Sequence, residues 1–250
     1  MQTMKAILTG HTRGLGEAIA EELLSRRIPV LGVSRHRHAA LARQFPTLLE
    51  EAEVDLADAA GFGGWLAGDA LQRHVADCKT VLLINNAGTV QPIGPLETQD
   101  VMRIAQAVSL NVAAPMMLAG AIAAAARDAG DACQVRILHV SSGAARSAYA
   151  GWSVYCATKA ALDQHARAVA LGQSPHVRIC SLAPGVIDTD MQAEIRAMPD
   201  EKFPLRGRFD GLKRDGLLAV PADCARQLVA FLLSPQFGQV PVADLRDQAG

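Results

Sequence analysis

Tyr155 and Lys159 are four residues apart in a stretch, Val154–Gly172, whose apolar spacing predicts a helix, so their side chains share one face. A tyrosine hydroxyl can hand a proton to an oxygen, but its pKa of about 10 hinders exchange near neutral pH. A lysine ammonium one turn away favours the phenolate and eases that exchange. Ser142 precedes Tyr155 by thirteen residues and supplies a hydroxyl that can hold a carbonyl oxygen as negative charge grows on it. Together the three suit reduction of a carbonyl, which needs a hydride at carbon and a proton at oxygen.

A hydride needs a carrier, and the chain has a place for one. Thr9-Gly10-His11-Thr12-Arg13-Gly14-Leu15-Gly16 follows a strand-like run, Lys5–Thr9, and opens a helical pattern, Leu15–Arg26. Glycines let the backbone turn tightly against a phosphate, and a helix N-terminus offers free N–H groups and a positive dipole end. Gly10, Thr12, Arg13, Gly14, Leu15 and Gly16 are therefore expected to cradle a dinucleotide. An NAD site usually carries an acid at the end of the second strand. Here that strand ends Ser34-Arg35-His36-Arg37. With no acid, and with Arg13 and Arg35 converging, the expected cofactor is NADP(H), its 2′-phosphate held by guanidinium groups. His36 and His38, two apart in a basic loop, do not form a metal site, and none is expected.

These groups need a frame. Seven runs read as strands: Lys5–Thr9, Pro29–Ser34, Ala52–Asp55, Thr80–Asn85, Gln134–Ser141, Val177–Ala183 and Gln239–Leu245. Helical patterns fall between them at Leu15–Arg26, His38–Gln44, Ala57–Val75, Thr98–Ala129, Val154–Gly172 and Pro221–Leu233. Such alternation predicts βαβ units and a parallel sheet covered on both faces. The unbroken apolar run Val81-Leu82-Leu83-Ile84 is what a strand buried on both faces requires. We expect one α/β domain over residues 1–250, a doubly wound Rossmann-type sheet of about seven strands. A mixed excursion, Asp188–Ala219, reads as a substrate loop that covers the reactive end of the cofactor.

Composition narrows the setting. With 24 Lys plus Arg against 25 Asp plus Glu, the formal charge is −1, which argues against nucleic acid or an anionic membrane as the partner. Five cysteines without a CxxC pair read as reduced thiols in a cytoplasmic protein. The first residues enter a strand without a secretory apolar core. Ile104–Ala126 carries no charge, but Gln106, Ser109, Asn111 and Pro115 and its many alanines read as a helix buried in protein. The Thr98–Ala129 and Val154–Gly172 helices bear more apolar and small surface than one sheet face covers. They predict a homodimer or homotetramer around two-fold axes.

The TGxxxGxG turn, Asn85-Asn86-Ala87-Gly88, Ser141-Ser142 and Tyr155-x-x-x-Lys159, in this order, resemble the short-chain dehydrogenase/reductase family from Thr9 to Gly185. The resemblance implies further roles. Asn111, in Ser109-Leu110-Asn111-Val112, would support a water chain to Lys159, which would also hold the nicotinamide ribose. Asp55, with Leu56, would contact the adenine. Asn85, Ala87 and Gly88 would pass the adenine ribose. Pro184, Gly185, Ile187 and Thr189 would form the loop that binds the nicotinamide carboxamide. Gly151-Trp152-Ser153-Val154-Tyr155-Cys156-Ala157 and Asp188-Thr189-Asp190-Met191-Gln192 are similar to the sepiapterin reductase and bacterial benzil reductase group. That implies a substrate pocket with Trp152, Met191 and Asp244, the last anchoring an amino group. The expected activity is NADPH-dependent reduction of a ketone or dicarbonyl small molecule, with Tyr155 as the acid. A 3-oxoacyl carrier-protein reductase, another alcohol dehydrogenase of the family, and a dinucleotide-binding regulator without catalysis are the alternatives.

Overall fold

A computed structural model describes residues 4–129 and 133–247. Its sheet contains β1 (Met4–Thr9), β2 (Val30–Ser34), β3 (Leu49–Glu53), β4 (Thr80–Asn85), β5 (Gln134–Val140), β6 (Val177–Ala183) and β7 (Val242–Asp244). All pairings are parallel, in the order β3-β2-β1-β4-β5-β6-β7. The chain runs outward from β1 to β3, then crosses back to β4. The gap between the ends of β1 and β4 is thus a topological switch point, where doubly wound sheets bind ligands.

The helices are α1 (Gly14–Ser25), α2 (Ala39–Gln44), α3 (Ala59–Leu66), α4 (Ala70–Val75), α5 (Val101–Val108), α6 (Ala114–Asp128), α7 (Ser153–Leu171), α8 (Asp190–Arg196), α9 (Arg206–Arg214) and α10 (Pro221–Leu233). They cover both faces. On one, Ile19 and Leu23 of α1 and Leu228 and Leu232 of α10 pack on Leu8, Leu82 and Ile84. On the other, Phe62, Leu118, Ile122 and Ala166 pack on Ile7, Val81, Leu83 and Ile137. Neighbouring residues of β4 serve opposite cores, so its run shows no polar alternation. This is a Rossmann-like domain of the doubly wound class.

The elements depart from the sequence expectation in four places. The third strand is Leu49–Glu53 rather than Ala52–Asp55. It is an edge strand with Glu50 and Glu53 exposed and no residue fully buried, so the apolar pattern that marks an inner strand is missing. The expected helix 57–75 is two helices, α3 capped by Asp58 Oδ1 on Gly61 N at 3.1 Å and α4 starting after Gly68 and Asp69. Thr98–Ala129 begins with a 3₁₀ turn, and α5 and α6 are joined by a π turn at Ser109–Ala113. The joined helix is long and apolar enough to cross a membrane. Ala114, Leu118, Ile122 and Ala125 on its inner face are buried against the sheet, whereas Val101, Met102 and Val108 are exposed in the single chain. Finally, Asp188–Ala219 is not an open loop. It folds into α8 and α9, which bury Ile195, Phe203 and Phe209 with Val90, Ile93, Trp152 and Tyr155. Its base is closed by Asp188 N to Ala219 O at 3.0 Å and Ala219 N to Val186 O at 2.9 Å.

Candidate active site

The carboxyl ends of the strands border one cavity of about 1150 Å³, large enough for a dinucleotide and a small substrate. Its first wall is the glycine turn. Gly10 has φ +69°, and a Cβ there would stand 3.1 Å from Ala87 Cα. A Cβ on Gly16 would stand 1.9 Å from Gly10 O, so no side chain fits there, and at Gly10 the positive φ strains any residue but glycine. Arg13 occupies the N-cap of α1 in extended conformation without a side-chain cap bond. The first turn of a twelve-residue helix therefore opens onto the cavity uncapped, which fits an anionic pyrophosphate. Thr12, Arg13, Gly14, Leu15, Ser34, Arg35, Asp55, Leu56, Ala87 and Gly88 all line this end. Among the described residues Arg35 has no ion-pair partner, while Arg13 Nη1 lies 3.5 Å from Asp190 Oδ2, both side chains exposed.

Two expected contacts are not on the cavity wall. Asn85 is turned into the sheet, its Nδ2 donating to His139 Nδ1 at 3.1 Å. Asn86 lines the cavity instead, and its Nδ2 donates to Thr9 O and Gly10 O, each at 3.1 Å, bracing the glycine turn. Adjacent residues at a strand end face opposite ways, so Asn86, of which no contact was expected, stands on the wall in place of Asn85. Asn111 sits on the π turn, 1 % exposed. Its Oδ1 accepts from Thr89 N at 2.9 Å, and its Nδ2 donates to Thr89 O at 2.8 Å and to Thr158 Oγ1 at 3.1 Å. It lies just behind the wall: a Cβ on Gly88 would come within 3.2 Å of Asn111 Oδ1 and 3.7 Å of Lys159 Nζ.

His11, a variable position of the glycine motif, is fully buried and pairs through Nε2 with Glu51 Oε1 at 2.7 Å. Gly32 on β2 leaves room for its ring, since a Cβ there would lie 2.5 Å from Nδ1. His38 is a helix cap, its Nδ1 accepting from Leu41 N at 3.1 Å. No cluster of metal ligands occurs among the described residues.

Ser142, Tyr155 and Lys159 meet at the middle of the cavity. Ser142 stands just beyond β5 and accepts from Ala144 N at 3.1 Å. Tyr155 and Lys159 lie on the buried face of α7, with Lys159 Nζ 5.7 Å from the Tyr155 ring centroid and donating to Val140 O at 2.8 Å. Burial pushes the Tyr155 hydroxyl up to about 12, against the lowering effect of its hydrogen bond with Ser142. Burial lowers Lys159 to about 8, and the Asp163 carboxylate opposes that fall.

Asp163 carries no role in the sequence reading. It continues the Tyr155–Lys159 face by another turn and is buried. Its Oδ1 accepts from Ser141 Oγ and Ser181 Oγ, each at 2.7 Å, and its Oδ2 from Arg146 Nε at 3.0 Å. Arg146 Nη2 continues to Ala243 O at 2.9 Å. One carboxylate thus ties β5, β6, β7 and α7 together behind Lys159. The signal in the sequence was the spacing 155, 159, 163, but its partners come from separate segments.

The substrate end is aromatic. Trp152 is buried, stacks on Phe203 with centroids 4.7 Å apart, and meets Tyr155 edge-on at 5.2 Å. It is a core tryptophan and a cavity wall at once. Met191, Pro184, Gly185, Ile187 and Thr189 also line the cavity. Asp244 lines it too, but its carboxylate already has a partner. Arg246 donates from Nε to Oδ1 at 2.8 Å, from Nη2 to Oδ2 at 2.6 Å, and from its backbone N to Oδ1 at 3.0 Å. That hydrogen bonding to Arg246 holds the Asp244 carboxyl below the usual carboxylate range. The carboxylate expected to anchor an amino group is thus paired with Arg246.

A doubly wound sheet, a phosphate-sized glycine turn and a Ser-Tyr-Lys group in one cleft define an oxidoreductase that acts between alcohols and carbonyls. The comparisons with known proteins agree. The family model for short chain dehydrogenase matches residues 4–200, and the chain belongs to this family of nicotinamide-dependent enzymes. It is 33% identical to a benzil reductase ((S)-benzoin forming) of Bacillus cereus, over 93% of this chain and 95% of that protein. It is 31% identical to the sepiapterin reductase of Mus musculus, over 96% and 95%. A short-chain dehydrogenase/reductase structure from Burkholderia vietnamiensis is 50% identical, covers 98% of each chain and superposes with a TM-score of 0.72.

Proposed function

We propose that this protein is an NADPH-dependent carbonyl reductase that acts on an aromatic or vicinal dicarbonyl compound, with Tyr155 as general acid. The carrying observation is that Ser142, Tyr155 and Lys159 line the same cavity as the uncapped N-terminus of α1. Bound NADPH would supply the hydride to the carbonyl carbon. The rest is the work of this chain's residues. Ser142 holds the carbonyl oxygen and steadies its growing charge. Tyr155, protonated at neutral pH and held so more firmly by burial, gives the oxygen its proton. Lys159 steadies the resulting phenolate by its charge, and a pKa near neutrality lets it pass a proton onward. Asn111 fixes the segment next to Lys159 by bonding both polar groups of Thr89.

The cofactor preference rests on Arg35, which lines the adenosine end without a carboxylate partner among the described residues. The aromatic wall of Trp152 and Phe209 supports a flat substrate, and similarity to benzil and sepiapterin reductases supports a dicarbonyl or pterin-like ketone. We also infer one domain over residues 1–250, a cytoplasmic setting in which the five cysteines stay reduced, with no membrane or nucleic-acid partner, and a homodimer or homotetramer. Exposed Val101, Met102 and Val108 on α5 and Leu171 at the end of α7 support the assembly. The decisive experiment follows NADPH oxidation, beside NADH, across a panel of diketones, pterins and 3-oxoacyl thioesters. Loss of reduced nicotinamide absorbance with diketones is expected. Stoichiometric NADPH binding without turnover on any carbonyl would revive the non-catalytic alternative.

A further inference from the structure

The charges along the substrate end of the cavity do not balance. Asp244 is paired with Arg246, and Asp190 with Arg13. Glu194 directs its carboxylate at the Gln91 amide, 2.6 Å away, and has no cationic partner among the described residues. Against it stand two cavity-lining arginines without a carboxylate in reach among those residues, Arg103 on the first turn of α5 and Arg208 on α9. Arg208 is exposed but not adrift: its guanidinium carbon lies 5.8 Å from the centroid of the Tyr149 ring. A ring face positions a guanidinium without neutralising it, so the group keeps its charge and its fork of donors for an anion. The Tyr149 ring lies 5.6 Å from Trp152, and Trp152 lies 5.2 Å from Tyr155. A ladder of rings therefore leads from the reacting centre to an unpaired cation.

We propose that the substrate carries a carboxylate as well as its carbonyl, and that Arg208 binds this carboxylate at the mouth of the cavity. Two rings, Tyr149 and Trp152, lie between Arg208 and Tyr155, so the carboxylate stands away from the reacting carbonyl, across an aromatic ring or several carbons. The preferred substrate is an aryl ketone or dicarbonyl that also bears a carboxylate, used better than its neutral counterpart. This inference rests on the reductase reading above and sharpens its substrate.

The test compares benzil-4-carboxylate with its methyl ester, which share shape and reacting carbonyls and differ in charge. In the unaltered protein with NADPH, kcat/KM for the acid should exceed that for the ester about 10-fold, within the range of a charge-assisted contact. The preference should shrink as salt is raised. Arg208→Met should remove the preference by loss on the acid, with a far smaller change on the ester, and Arg208→Lys should keep part of it. Equal use of acid and ester, or equal loss on both in Arg208→Met, would overturn the proposal. If neither compound is reduced, the reductase reading fails first. Equilibrium binding of the pair, followed by tryptophan fluorescence of the NADPH-loaded protein, then decides the anion site separately. Acid-selective binding lost in Arg208→Met supports the site, and unselective binding refutes it.

Discussion

Two aspartate–arginine pairs border the catalytic cavity, Asp163–Arg146 behind Lys159 and Asp244–Arg246 at the mouth. Their contacts are alike on paper: both carboxylates accept from a guanidinium at 3.0 Å or less. Their settings differ. The Asp163 side chain is 2 % exposed, and two serine hydroxyls complete its shell. At the mouth the Asp244 side chain is 11 % exposed, but its Arg246 partner is 72 % exposed, against 32 % for Arg146. A charge withdrawn from water has to be matched, and removing its partner strands it; a charge at the rim is rescued by solvent. The inner pair is therefore part of the frame that fixes the charge of Lys159. The outer one is an adjustable feature of the substrate mouth.

The largest effect belongs to the inner wall. Tyr155→Phe keeps the ring against Trp152 and removes the proton donor, so turnover should fall by at least about 10²-fold. NADPH binding, read by fluorescence titration, should persist. Normal turnover in this variant would show that the tyrosine is not the acid.

Asp163→Asn should come next. It leaves Arg146 without its buried counter-charge and should cost about 3 kcal/mol in a denaturant titration. It should also move the pH profile in a stated direction. Lys159 loses its proton as pH rises through about 8, so activity should decline on that alkaline side. The Asp163 carboxylate raises the Lys159 pKa, so its neutralisation lowers that pKa further and shifts the alkaline limb toward acid. A variant that is less stable but keeps the limb in place would reduce Asp163 to a brace.

Arg35→Asp tests the far end of the cavity. It removes a cation and places an acid where the 2′-phosphate would lie, so the ratio of kcat/KM for NADPH over NADH should drop by about 10-fold or more. Equal efficiency with both cofactors in the unaltered protein would remove the basis for the NADP preference.

Asp244→Asn should be the smallest change, under about 1 kcal/mol, because the arginine it leaves behind is 72 % exposed and solvated. The sign of its pH dependence is also set. Its folded pKa is depressed by Arg246, so its small contribution is present above the ordinary carboxylate range and is lost as pH falls through the folded value. If activity toward a pterin alone disappears in this variant, the carboxylate reaches substrate despite Arg246. A large loss of stability would instead erase the contrast between the two pairs.

What was legible in the sequence is what depends on neighbours along the chain. The glycine turn is read locally because Gly10 takes a positive φ and a Cβ at Gly16 would meet Gly10 O inside the turn. Tyr155 and Lys159 meet by helical spacing alone, and the apolar run of β4 reports cover on both faces. The rest required residues distant in sequence to come together. Asp163 draws its partners from positions 141, 146 and 181, and no periodicity records that. The edge strand β3 lacks an apolar signature because half of its surroundings is solvent. Asn85 and Asn86 read alike until the pleat sends one into the sheet and the other to the cavity. The Asp188–Ala219 excursion reads as a mixed covering loop because its scattered apolar residues find their cover on α7 and the β4–α5 connection. Asp244 and Arg246 lie two residues apart, yet only the turn after β7 folds one back on the other. Covalent spacing decides which groups share a turn or a helix face; packing decides which charges remain free to meet a substrate.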